Sequence, residues 1–276
     1  MNLPAHETKH LDTLDYLLPN GTRVIVHQDG TTPDSTGRTV WLGAQVLAVY
    51  LHDLHKLGSL VSAKVSKQRR PTAIDVGAGT GLSALSLASI GYNVLATDLE
   101  VIVQGILSRN IATNTSTVRG ANGFEPSRIQ THVLDWFESP TEWTWPRPEH
   151  DDNQDRFAPP FDLVVSADTV YTRELSQPLL RTLHALSNPS SKSTTPLVYL
   201  ALERRDPELV TEFLKSAEQD WGFKCTRVDP DRVRKLVESN QGGLGWQDES
   251  VWEGIEIWKL KLKKTHNLIK RSSKVR

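Results

Sequence analysis

Closely set glycines and acids placed at the ends of apolar runs are the residues of this chain spaced for chemistry. The glycines lie in Asp75-Val76-Gly77-Ala78-Gly79-Thr80-Gly81, where the apolar run Thr72–Val76 ends. Glycines this close let a backbone turn sharply and approach a ligand that a Cβ would block. A dinucleotide fingerprint, G-x-G-x-x-G, requires its third glycine at position 82, which is Leu82, and no P-loop lysine follows. The spacing is instead G-x-G-x-G, with the Asp75 carboxylate two residues before the first glycine. A pyrophosphate needs bare helix-terminal amides, whereas an adenosyl amino acid carries a cationic amino group that a nearby carboxylate can hold.

Further acids stand at the ends of successive runs. Asp98 closes the second run, 21 residues after Gly77, where an acid accepts hydrogen bonds from both ribose hydroxyls of an adenosine ligand. Asp135 follows the third run and is placed for an adenine amino group, with Trp136 beside it to cover the ring. Any one of these acids alone is ordinarily a solvated strand-end residue; three of them together with the glycine turn point to adenosine binding. Asp168 lies just past the fourth run, where its carboxylate could orient an incoming nucleophile, and Tyr171 could hydrogen-bond that nucleophile or narrow its channel. The alternative is that Asp168 caps the next helix and Tyr171 packs on it. Glu203-Arg204-Arg205-Asp206, after the fifth run, could line the substrate approach; Glu203 is the better candidate, and for Arg204 and Arg205 an exposed turn into an Asp206 cap is at least as good a reading. The loop Asp229–Gly254 offers Trp246 or Trp252 as a contact for a protein substrate. The nine histidines show no metal-ligand spacing and Cys225 is the only cysteine, so neither a metal site nor an internal disulfide is expected.

These residues need a scaffold that brings strand ends together. From Pro71 onward, β-rich runs alternate with helical patterns, the signature of a parallel sheet with crossover helices. The runs are Thr72–Val76, Asn93–Asp98, Ile129–Val133, Phe161–Ala167, Leu197–Leu202, Lys224–Val228 and Ile255–Leu262. Helices are expected over Leu82–Ile90, Val101–Asn114 and Glu174–Ser187, and from Asp206-Pro207 to about Gln219, where an N-cap is followed by proline at the first helical position. The last pair lacks a long regular crossover, so the fold class is α/β: a doubly wound seven-stranded sheet, mostly parallel, with strand seven antiparallel. Residues 1–70 form an N-terminal extension, with a strand or hairpin arm at Arg23–His27 and a helix from about Leu42 to Leu57. Residues 71–262 form the main domain, and 263–276 a basic tail. Glu138–Pro160, rich in Trp, Pro and acid, reads as a surface insertion.

The chain has 276 residues and a net charge of −1. Lys261 to Arg276 carries seven basic and no acidic residues, which leaves −8 on the remaining chain. An acidic body argues against wrapping nucleic acid and for a basic protein partner. The tail lacks interleaved aromatics and reads as solvated. Apolar runs such as Val46–Leu51 fall far short of the roughly 20 residues of a membrane span, and the N-terminus has no signal-peptide stretch, so a soluble, cytoplasmic monomer is expected.

The D-x-G-x-G-x-G element and the strand-end acids resemble the seven-stranded, S-adenosylmethionine-dependent methyltransferases over Pro71–Leu262. Local features are similar to one branch, the family 16 protein-lysine methyltransferases: Thr39-Val40-Trp41-Leu42-Gly43-Ala44 for its tryptophan element, Leu134-Asp135-Trp136 for its acid–tryptophan pair, and Asp168-Thr169-Val170-Tyr171 for its D-x-x-Y motif. The resemblance implies a Rossmann-like fold, S-adenosyl-L-methionine as cofactor, and cofactor contacts at Trp41, Gly77, Ala78, Gly79, Asp98, Trp136 and Ala167. It implies methylation of a lysine in a protein substrate, among chaperones and translation factors. Leu200-Ala201-Leu202-Glu203-Arg204-Arg205 is similar to fungal enzymes that modify elongation factor 1-alpha. The long insertion departs from compact members. Rival readings are a methyltransferase for RNA or a small metabolite, and a non-catalytic module that keeps the cofactor pocket. Against a base-amine enzyme, the slot after strand four reads Ser166-Ala167-Asp168-Thr169, without the prolines of a base clamp.

Overall fold

The computed structural model describes residues 2–31, 36–60, 70–118, 127–146, 157–188 and 195–263. Two short strands, β1 (Thr13–Leu17) and β2 (Arg23–His27), pair antiparallel after a four-residue helix, α1 (Ala5–Thr8). Leu14, Tyr16, Val24 and Val26 alternate inward, so one face of this hairpin is buried. Helix α2 (Leu42–Lys56) comes next, then β3 (Thr72–Val76), α3 (Leu82–Ser89), β4 (Asn93–Asp98), β5 (Ile129–Val133) and β6 (Leu163–Ala167), with a helical stretch between β4 and β5.

That stretch differs from the single helix expected over Val101–Asn114. It runs as α4 (Glu100–Ile102), a π-helical turn over Val103–Leu107, and α5 (Ser108–Asn114). A π turn widens the spiral by one residue and rotates the turn before it relative to the turn after it. Val101 and Ile102 thereby face the ligand edge of the sheet, while Leu107 and Ile111 stay packed where a Cβ on Gly81 would lie. The chain closes with α6 (Arg173–Ser187), β7 (Leu197–Glu203), α7 (Pro207–Gln219), β8 (Phe223–Arg227), α8 (Pro230–Glu238) and β9 (Ile255–Leu262). Asp206 caps α7 through Glu208 N and Leu209 N, with Pro207 at the first helical position.

Strands β3 to β9 form one sheet in the order β5-β4-β3-β6-β7-β9-β8. Pairs among β3 to β7 are parallel, and β9 is antiparallel to both β7 and β8. The carboxyl ends of the parallel strands therefore meet at one edge, and the order reverses at β3, flanked by β4 and β6. Open α/β sheets bind ligands at such a switch point. One hydrophobic cluster packs the hairpin, α2 and α3 on one face, and a second packs α6 and α7 on the other. Among the described residues no helix is long and apolar enough to cross a membrane.

Two sequence expectations change here. The insertion is not purely surface: Trp145 packs edge-on to Phe161 at 6.0 Å and stacks with His132 at 6.3 Å, and Trp143 packs on Trp145. Indole rings beside an apolar sheet face gain more from burial than from water. Residues 147–156 of the insertion, and the basic tail from Lys264, lie outside the described residues. Arg204 is also not a free turn residue: its guanidinium grips buried Glu256 of β9 through two bonds of 2.9 Å, and Trp258 Nε1 donates to the same carboxylate at 2.8 Å.

Candidate active site

A cavity of about 690 Å³ opens at the switch-point edge. Its floor is the glycine turn after β3. Gly77, Gly79 and Gly81 have φ of 73°, 54° and 85°, the left-handed region that favours glycine. Space forbids side chains as well: a Cβ on Gly77 would lie 2.6 Å from Thr169 Cγ2 and 3.0 Å from the Trp136 ring. The turn is pinned by Gly77 N and Ala78 N donating to Thr97 O at 3.0 and 2.8 Å.

At the end of β4, Asp98 accepts from Gly79 N and Leu99 N, each at 2.8 Å. These two bonds orient the carboxylate, which lines the cavity and keeps lone pairs to spare. Burial raises its pKa, and the two amides pull it back. Beneath the turn, the Asp75 carboxyl is 1% exposed, and neither oxygen has a hydrogen-bond partner among the described residues. Burial, and then the charge of Asp98, push it up to about 8, while the backbone N–H of Ala84, short of a full hydrogen bond, pulls it back.

The opposite wall is the start of α2 and the end of β6. Asp168 holds φ 57°, rare for a residue with a side chain, and its N–H donates to Ala201 O at 2.9 Å. Its carboxylate accepts from Gly43 N at 3.2 Å and Ala44 N at 3.0 Å. Asp168 is therefore a cap, but of α2 far upstream and not of the helix that comes after it. Trp41, at the N-cap position of α2, makes no side-chain cap bond, and Asp168 supplies what it lacks. The approach is so close that a Cβ on Gly43 would sit 2.6 Å from both carboxylate oxygens. Burial raises Asp168 to about 7 against the pull of these amides, and Glu203 adds to the rise.

Trp41, Ala167, Tyr171, Glu203 and Trp136 complete the wall with Arg205. Tyr171 stands half exposed at the mouth. Arg205 hydrogen-bonds Glu203 and lies 5.0 Å from the centroid of the Trp41 ring; Lys9 Nζ lies 3.8 Å from the same centroid.

The cavity wall thus gathers Trp41, Gly77, Ala78, Gly79, Asp98, Trp136, Ala167, Asp168, Tyr171 and Glu203. It does not gather Asp75, Asp135 or Trp246. Asp75 lies under the floor. The Asp135 carboxylate turns back to accept from Phe137 N at 2.8 Å and fixes the turn that presents Trp136. Trp246 is 6% exposed in the core and donates to Asn2 O at 2.9 Å; Trp252 is 7% exposed in the same cluster. Trp246 is thus tied to the N-terminal segment and buried in the core, so the expected substrate contact at Trp246 is corrected.

The profile of the lysine methyltransferase family matches residues 19–220. The chain belongs to that family. Protein-lysine methyltransferase METTL21E of Bos taurus is 27% identical over 227 residues, covering 81% of this chain and 68% of the relative. Protein N-lysine methyltransferase METTL21A of Mus musculus is 29% identical over 207 residues, covering 73% and 78%. Protein-lysine N-methyltransferase rrg1 of Schizosaccharomyces pombe is 27% identical over 159 residues, 57% of this chain but only 45% of the relative. The matched span thus ranges from under half to about three quarters of these relatives' lengths. Among solved structures, a candidate SAM-dependent methyltransferase from Streptococcus mutans superposes with TM-score 0.50 at 12% identity, over 95% of this chain and 57% of that one. At that identity the likeness concerns the fold, which is that of the Rossmann-like SAM-dependent methyltransferases.

For a lysine methyltransferase the cleft has to accept a cationic nucleoside, and its residues fit one. The glycine cradle excludes any Cβ, and the Asp98 carboxylate has acceptor capacity free. The sequence reading left Arg205 open and missed Arg38 and Thr169 in the wall and Lys9 against Trp41. Thr169 had a local signal inside the D-x-x-Y motif. Lys9 had none, because nothing in its neighbourhood predicts contact with Trp41.

Proposed function

We propose that the protein transfers a methyl group from S-adenosyl-L-methionine to a lysine side chain of a protein substrate. The observation that carries this reading is Asp168: a part-buried carboxylate in a left-handed backbone, fixed by the first amides of α2 at the wall of a cationic-nucleoside cleft. When bound, the donor supplies an electrophilic methyl on a sulfonium, which a neutral amine displaces in line. The residues of the chain do the rest. Asp98 and the glycine turn hold the nucleoside, and Trp136 covers its base. Asp168 orients the amine, Tyr171 narrows its path at the mouth, and Trp41 with Glu203 offers an aromatic face and a carboxylate to the incoming ammonium. Alignment of this kind is the main contribution an enzyme makes to such a displacement. The proton leaves to water at the open mouth, with no obligatory general base.

For the substrate, the acidic body favours a basic protein, and the 200–205 stretch favours elongation factor 1-alpha over a chaperone. A monomer acting in the cytoplasm, with 71–262 as its catalytic domain and 1–70 completing the cleft through Trp41, suits that substrate. The test is mass spectrometry of proteins from cells lacking the gene, joined with purified protein, labelled donor and fractionated lysate. Loss of a lysine methyl mark on elongation factor 1-alpha, restored by the purified protein, is expected. Label recovered only in RNA or small metabolites would overturn the reading.

A further inference from the structure

The N-terminal segment brings a lysine of the chain's own against Trp41, a residue of the cavity wall. Gln45 of α2 accepts from Ala5 N at 2.8 Å and donates to Leu3 O at 2.9 Å, while Gln28 Nε2 donates to Thr8 O and Leu11 O, both at 2.9 Å. These bonds hold the backbone on both sides of Lys9. On the third side, a Cβ on Gly30 would lie 2.3 Å from Lys9 O. With its backbone held, the half-buried Lys9 side chain lies across Trp41, with Nζ 3.8 Å from the ring centroid, and Trp41 itself lines the cavity. Arg205 and two acids of the cavity wall, Glu203 and Asp168, act on this ammonium through space.

A lysine with only a structural role ordinarily extends into water or meets a carboxylate directly. Lys9 instead rests on the ring of Trp41, a cation–π contact that places its ammonium beside a residue lining the cavity. We infer that Lys9 is itself a methyl acceptor, modified within its own molecule; this rests on the lysine-methyltransferase reading above. Transfer to Lys9 requires the flexible four-carbon stem to swing off the face of Trp41 into the cavity which that ring lines. A tether this short replaces diffusion with a high effective concentration. Desolvation and the neighbouring Arg205 charge lower the pKa of the Lys9 ammonium, which eases the loss of a proton to water at the mouth. The Nζ lone pair then forms a bond to the donor methyl as the carbon–sulfur bond breaks, leaving a neutral thioether and a secondary ammonium. Methylated lysine keeps its charge and sits well on an aromatic face, so the product can return to Trp41.

The full chain, freed of cofactor, is incubated with deuteromethyl-labelled S-adenosylmethionine and digested for mass spectrometry. Label on Lys9, appearing at a rate independent of protein concentration, is expected. Lys9→Arg removes that label while methylation of lysate proteins continues. A second readout needs no turnover: acylation of Lys9 by an amine-reactive probe, measured against exposed Lys215, slows when S-adenosylhomocysteine fills the cleft. Methylation of foreign lysines with none on Lys9 overturns the inference and leaves the enzyme reading intact. So does Lys9 label that rises with protein concentration, or Lys9 reactivity indifferent to S-adenosylhomocysteine. A Lys9→Ala variant that raises lysate methylation, with Lys9 unlabelled in the parent, makes the lysine a plug and also overturns it. No donor binding and no transfer to any lysine overturns both.

Discussion

At Asp168, backbone strain, burial and charge meet in one residue. A left-handed residue bearing a side chain costs on the order of 1–3 kcal/mol, sustained here by Ala201 O and the amides of Gly43 and Ala44. The pKa of Asp168 is raised to about 7 from the ordinary 3.8. The folded protein therefore holds this proton more tightly than the unfolded chain. The resulting stability is full below about pH 4 and is lost as pH rises through about 7. Asp75, raised to about 8, acts in the same direction over a wider window. Melting temperature of the donor-free protein should fall from pH 4 to pH 8, and Asp75→Asn should flatten much of that slope. An unchanged slope in Asp75→Asn would mean that the orphaned carboxyl is not the group titrating. Catalysis runs the other way, because orienting an amine needs the ionised Asp168. Turnover should rise through about pH 7, and Asp168→Asn should lower it by about 100-fold and remove that limb while cofactor affinity persists in a binding titration. Gly43→Ala tests the same contact from α2: its methyl would occupy the place of the carboxylate. Turnover should fall at least as far as in Asp168→Asn, with the variant still folded by circular dichroism.

Among the elements, α5 acts as a stitch. Asn110 and Asn114, one helical turn apart, bond the outer edge of β2: Asn110 accepts from His27 N and donates to His27 O, and Asn114 does the same with Ile25. Two side chains thus complete the ladder of an edge strand that has no further strand beside it. Asn110 also donates to Thr80 O at 2.9 Å, tying hairpin, helix and glycine turn into one unit. Asn110→Ala should cost about 2–3 kcal/mol in urea denaturation, because it leaves buried backbone groups unpaired, and should weaken donor binding through the loosened turn. Full retention of both would remove this helix from the account of the cleft. Apolar patterning indicated the helix and the strand here but neither the π turn nor the asparagine bonds. Apolar spacing over fourteen residues is too short to register one residue of extra winding, and a helical asparagine looks the same whether it meets water or a strand edge.

For the whole molecule, the antiparallel insertion of β9 rests on a buried charge cluster at the ligand edge. Glu256 is 5% exposed; burial raises its pKa, but Arg204, Trp258 and Arg227 together bring it below the usual carboxylate range. Glu256→Ala removes the buried acceptor shared by Arg204, Arg227 and Trp258 and should cost about 1–3 kcal/mol, read as a lower denaturation midpoint at unchanged cofactor stoichiometry. A midpoint within error of the parent would show that packing of β9 alone fixes the strand order. What the sequence determined by itself is local: seven strands, the glycine turn, the helix caps at Asp206 and Pro207, and the acids at strand ends, because periodicity and backbone freedom act over a few residues. The tertiary structure alone decided which groups meet across the chain: Asp168 with helix amides 125 positions upstream, Trp246 with the N-terminal segment, and Lys9 with Trp41. Such partners are chosen by how whole layers pack, and no short stretch of sequence carries that information.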